Sequence, residues 1–79
     1  MRIDFHPDTD AAWIDLGSAE AAQERALNDD VAVGVDAEGS ILFLDVHTNA
    51  ALTYGLPNPA AVERLLEWAR GELAAGNPA

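Results

Sequence analysis

Alternation of apolar and polar side chains opens the chain. In "RIDF", Ile3 and Phe5 fall on one side of an extended backbone and Arg2 and Asp4 on the other; in "AWIDL", Ala12, Ile14 and Leu16 oppose Trp13 and Asp15. Both stretches predict strands. Between them "HPDTDA" predicts a turn, because Pro7 has the fixed φ of a turn's second position and Asp8 and Asp10 can accept hydrogen bonds from nearby amides. "VAVGVD" alternates again, with Val31, Val33 and Val35 against Ala32, Gly34 and Asp36, and "DAEG" follows as a hairpin connection with Gly39 where φ is positive. "SILFLDV" is apolar on both faces, so this strand is expected to be covered on both: one of the sets Ile41/Phe43 and Leu42/Leu44/Val46 packs on the core, and the other meets the helix or a second subunit.

"SAEAAQERAL", residues 18–27, reads two ways. Its alanine, glutamate, glutamine and arginine favour a helix, while the flanking pattern asks for a strand. A helix is plain further on: Asn58 suits the N-cap, Pro59 the first helical position, and Gly76 the stop, with Pro78 just beyond. Val62, Leu65, Leu66, Ala69 and Leu73 form one apolar stripe. Trp68 lies about 120° off that stripe at 100° per residue, so it either laps over the core's edge or faces a partner.

The expected fold class is α+β: an antiparallel sheet of four to five strands, a meander of hairpins, with one C-terminal amphipathic helix. Residues 1–52 make the β-rich sheet region, 53–58 a linker, and 59–75 a helix packing on the sheet or on a partner subunit, all within a single domain. A chain of 79 residues buries only slightly more than about 60% of its unfolded surface, and its 6% aromatic content makes the core aliphatic and small. Such a core gains from an interface, so a homodimer is expected.

Charge narrows the partners. Fourteen acidic against four basic residues give a net charge of −10, which repels phosphate backbones and anionic lipid, so neither nucleic acid nor membrane is an expected partner. The same field favours a basic protein or simply maintains solubility. No cysteine is present, which excludes disulfides and thiolate chemistry and fits a cytoplasmic setting; "MRIDFHPDTD" has no apolar signal region.

Three stretches together resemble a known family. "RIDFHPDTDAAWIDL" resembles the opening of the small prokaryotic family called domain of unknown function 2283, "LNDDVAVGVDAEGSI" its middle hairpin and "LFLDV" its closing strand, over about the first 50 residues. His6 stands where that family usually has aspartate, Phe43 where it has glycine, and Asp45 where it has glutamate. The resemblance implies that residues 20–27 pair as a strand, transfers no activity, and hints at an antitoxin-like role.

Two clusters invite chemistry. Asp8 and Asp10 with His6 suggest a metal loop, but counted from Asp8 an EF-hand register puts Ala12, Trp13 and Ala19 at positions 5, 6 and 12, where oxygen, glycine and glutamate are needed. Asp45 and His47 share a strand face and could act as an acid-base pair, yet no nucleophile at a sharp turn and no glycine-rich anion loop accompanies them. No catalytic, metal or cofactor-binding residue is therefore assigned. The expected function is a non-enzymatic self-associating or protein-interaction module presenting Trp13, Phe43 and Trp68; the alternative is a small divalent-metal-binding or acid-base enzyme built on Asp8/Asp10/His6 or Asp45/His47.

Overall fold

A computed structural model describes residues 1–17 and 23–75. Five strands, β1 (Arg2–His6), β2 (Ala11–Asp15), β3 (Gln23–Ala26), β4 (Val31–Val35) and β5 (Ile41–Val46), precede one helix, α1 (Pro59–Ala74). Every pairing is antiparallel, and the sheet order is β1-β2-β5-β4-β3. The β1-β2 hairpin and the β3-β4-β5 meander are thus two units zipped together along β2 and β5. That junction places β5 at the centre of the sheet, where its apolar sequence finds a neighbour on each side.

The ambiguous segment resolves as far as it is described. Residues 23–26 pair with β4 as a strand despite their helix-forming composition, because Arg25 and Ala26 gain register partners in Val33 and Ala32. The rest of that expectation, residues 18–22, and the Gly76 stop with Pro78 lie outside the described residues.

One face of the sheet carries the core. Ala12, Ile14, Val31, Val33, Leu44 and Val46 are buried there together with Ala61, Val62, Leu65, Leu66 and Ala69 of α1, while Ile3, Phe5 and Leu73 pack at its margins. The helix begins where its cap chemistry dictates: the Asn58 side chain accepts from the Ala60 amide at 2.9 Å, and Pro59 occupies a position whose N–H would have had no partner. The connection before it is packed too, since Ala50 and Leu56 are buried in the same core.

Within the single chain the doubly covered strand is β4, while the second face of β5, expected to meet the helix or a second subunit, is not covered by α1. All five residues of β4 are buried, whereas β5 alternates between half-buried and buried. The reason is side-chain size. Ala32 and Gly34 are small enough for neighbouring side chains to close over, and the half-buried Phe43 of β5 does so at Gly34. A register shift between Gly34 and Val35 pairs Gly34 with Phe43 but Val35 with Ile41, leaving Leu42 as an extra residue on β5. Through it Ile41 reaches the core cluster, although simple alternation groups it with Phe43, and Leu42 is buried beside Gly17.

Candidate functional site

The sheet face turned away from α1 is built in two cross-strand rows. Register aligns Asp4, Trp13, Asp45, Ala32 and Ala26 in the first, and Arg2, Asp15, Phe43, Gly34 and Glu24 in the second. Period-two alternation forces this composition, because the partners of these residues along each strand belong to the core.

Trp13 and Phe43 are diagonal neighbours across β2 and β5 and stack with ring centroids 4.3 Å apart at 16°. Trp13 remains 37% exposed beside that stack. Carboxylates surround the pair: Asp4 and Asp45 flank Trp13, and Asp15 flanks Phe43. Arg2, the arginine of this face, sits 3.5 Å from Asp4. The result is a stacked aromatic platform inside a field of negative charge.

Asp45 and His47 meet as their spacing predicts, with Oδ2 and Nδ1 3.6 Å apart. His47 is held by its backbone, whose N–H donates to the Asp30 carbonyl at 2.8 Å. The pair lies beside the aromatic platform, where Asp45 is the register partner of Trp13, and both residues are partly exposed.

The hairpin acids do something the sequence did not reveal. Asp10 adopts φ +51°, and its carboxylate accepts from the Ala51 amide at 2.8 Å and the Leu52 amide at 3.3 Å, 41 and 42 residues away. Its carbonyl takes the Ala50 N–H as well, at 2.9 Å. Residues 49–55 make helical turns, with Thr53 N–H donating to the Asn49 carbonyl and Gly55 N–H to that of Ala51, so Asp10 caps them from another part of the chain. Asp8 and His6 stay exposed, and among the described residues no three histidine, cysteine or acidic side chains come together as a metal-ligand group.

"NDD" is likewise structural. The Asn28 side-chain oxygen accepts from the amides of Asp30 and Val31, both at 2.8 Å, shaping the β3-β4 turn. Tyr54 ties that turn to the later connection: its hydroxyl accepts from Asn28 Nδ2 and donates to Asp30 Oδ2, each at 3.2 Å. A lone tyrosine in a turn-rich linker gave no sequence signal of this.

The three candidate surface aromatics do not form one patch. Trp68 sits on α1, across the core from the open sheet face, and lines a shallow hollow of about 250 Å³ with Thr53, Tyr54, Ala61 and Leu65. Like Trp13 it is 37% exposed.

A five-stranded antiparallel sheet backed by one C-terminal helix defines an α+β domain, and the comparisons give it a family. The family described as "Protein of unknown function (DUF2283)" matches residues 2–46, all five strands and more than half of the chain; the chain belongs to this family. No curated protein and no solved structure matches it. Helix α1 lies outside the matched segment, and among the described residues no helix is long and apolar enough to cross a membrane.

Proposed function

We propose that this protein is a non-enzymatic interaction module whose open sheet face receives a basic segment of another protein. The observation that carries the reading is the interleaving of Asp4, Asp15 and Asp45 with the Trp13–Phe43 stack. A guanidinium or ammonium that reaches the exposed indole gains a cation–π contact and carboxylate acceptors at once. A second copy docked by the same face would oppose carboxylate to carboxylate, which costs affinity. An antitoxin-like role is one form of this reading, with the cognate toxin as the basic partner; failure of a basic neighbour to copurify with the protein argues against that form.

The test uses the Trp68→Phe variant, in which Trp13 is the remaining tryptophan, titrated with an arginine-rich peptide. Binding should change Trp13 emission, weaken steeply with added salt, and be lost in an Asp15→Asn/Asp45→Asn double variant. An unchanged emission at low salt, or equal binding by the double variant, overturns the proposal.

Self-association is a second reading, favoured by Trp68 and by Leu52, which is 82% exposed. Dimerisation through the helix side would bury Trp68 and keep the acidic sheet faces apart. Light scattering at two concentrations, with Trp68→Ala alongside, reads this out independently of the peptide titration. The alternative of a metal-dependent or acid-base enzyme draws on the Asp45–His47 contact; calorimetric titration with divalent cations separates it, since an ion held by the folded state releases heat and raises Tm.

A further inference from the structure

The two edges of the sheet differ. The edge strand β3 is short and carries Arg25 on the core side, in register with Val33, and an inward-pointing charge discourages pairing with foreign strands. β1 has no such guard. Its core-side residues are Ile3 and Phe5, its pairing with β2 runs from Arg2 to His6 without a register shift, and no proline interrupts it. Among the described residues β1 pairs with β2 alone, so its outer N–H and C=O groups form a template for a further strand. Beyond β2 the chain turns away from that edge, the Leu16 N–H donating to the Leu42 carbonyl of β5 at 2.8 Å. The side chains of Arg2 and Asp4 are 73% and 49% exposed, and Ile3 and Phe5, at the core's margin, are half-buried.

We propose that β1 pairs antiparallel with β1 of a second copy, about a twofold axis through Ile3. Residues directly opposite in an antiparallel pair share a face, so two registers overlap most of the strand and keep core side with core side. One centres on Asp4 and sets that carboxylate against the partner's Asp4, which is destabilising. The other centres on Ile3: Arg2 meets the partner's Asp4, Asp4 meets the partner's Arg2, and the two half-buried Ile3 side chains join on the core side. The Arg2–Asp4 contact of 3.5 Å within one strand then becomes half of a cluster of four alternating charges. Outward charges that ordinarily guard an edge are here self-complementary. The contact is isologous and closes at two copies, leaving the guarded β3 at both ends of the doubled sheet. Both helices lie on one side of that sheet and both Trp13–Phe43 stacks on the other, roughly 15 Å apart by the spacing of strands. Neither the open face nor Trp68 takes part, so this edge is separate from the peptide face and from a helix-side contact.

Sedimentation equilibrium across a concentration series, with amide exchange alongside, tests the edge. The mass should rise to twice that of one chain, and amides of β1 should gain protection with concentration while those of β3 do not. Arg2→Asp, at an exposed position that leaves folding intact, should weaken association by about tenfold or more, because two attractive pairs become repulsive. Combining Arg2→Asp with Asp4→Arg restores opposite charges in the register centred on Ile3 and should bring association back to the parent level. The register centred on Asp4 has no such rescue, since arginine would then face arginine. Trp68→Ala should leave association unchanged. The proposal is overturned by a chain that stays monomeric up to millimolar concentration, or by a doubly substituted chain that associates no better than Arg2→Asp alone. Loss of association in Trp68→Ala also overturns it, and moves the contact to the helix side. None of these outcomes bears on the arginine-rich peptide, whose binding is read from Trp13 emission.

Discussion

The ring of Phe43 lies directly over Gly34, its register partner on the neighbouring strand. A Cβ added at Gly34 would collide with the ring's Cδ2, Cε2 and Cζ. An aromatic ring from one strand thus covers the bare backbone that glycine leaves on the next, while its other neighbour is the indole of Trp13. The glycine that would weaken an ordinary strand is here the seat of the aromatic platform.

Gly34→Ala should therefore destabilise, although alanine is the better strand residue. Overpacking of this kind costs about 1–3 kcal/mol, and the displaced ring should lose its stacking on Trp13, read as a change in near-ultraviolet circular dichroism. In a Phe43→Ala background the same substitution should cost almost nothing. A double-mutant cycle by urea denaturation, with coupling of about 1 kcal/mol or more, is the expected result for residues in contact.

Asp10 makes a second test, because geometry and chemistry there can be separated. Asp10→Ala loses the two amide contacts to Ala51 and Leu52 and also places alanine at φ +51°, for a combined cost of about 2–3 kcal/mol. Asp10→Asn keeps one oxygen acceptor and a residue type that tolerates positive φ, so it should cost less than about 1 kcal/mol. Asp10→Gly should fall between, losing the acceptor but not the conformation. The order alanine, glycine, asparagine in urea midpoints is the signature; equal loss in all three would mean that the carboxylate charge itself is what matters.

Much of this is legible in the sequence, and the exceptions share a cause. Strand periodicity in "RIDF", "AWIDL" and "VAVGVD" and the Asn58-Pro59 start of the helix are local signals, and they define elements that the structure contains. Register across the β4-β5 hairpin is not local in the same way. Asp36 N–H donates to the Ser40 carbonyl and Val35 pairs with Ile41, so even counting would set Gly34 opposite Leu42; the extra residue brings Phe43 there instead. The Trp13–Phe43 stack depends in turn on β2 lying beside β5, an adjacency created by joining two hairpins that no spacing encodes. Asp10 was visible as a turn residue, but its partners 41 and 42 positions on belong to the folded chain alone.

Tyr54 extends the same lesson to the β3-β4 turn. Tyr54→Phe keeps the packing of the ring against the core and removes only the hydroxyl shared by Asn28 and Asp30. The loss of stability should be about 0.5–1.5 kcal/mol, the usual net value of such a bond. Hydrogen exchange should localise it: amides of Asp30 and Val31, held by Asn28, should exchange faster, while those of β1 and β2 keep their protection.

Leu44 tests how small the core is. It is fully buried on the central strand, between Ile14 of β2 and Val33 of β4 in register, and it belongs to the cluster that α1 covers. Leucine-to-alanine changes at such sites cost about 3–5 kcal/mol through lost transfer energy and the cavity left behind. A chain of this length has only about 4–12 kcal/mol in total, so Leu44→Ala should leave a large unfolded fraction at 37 °C by circular dichroism. Leu52→Ala removes the same atoms from a side chain that is 82% exposed and should leave Tm of the monomer unchanged. If Leu44→Ala instead melts cooperatively near the parent temperature, stability must come from an interface that the single chain does not contain, and its Tm should then rise with protein concentration.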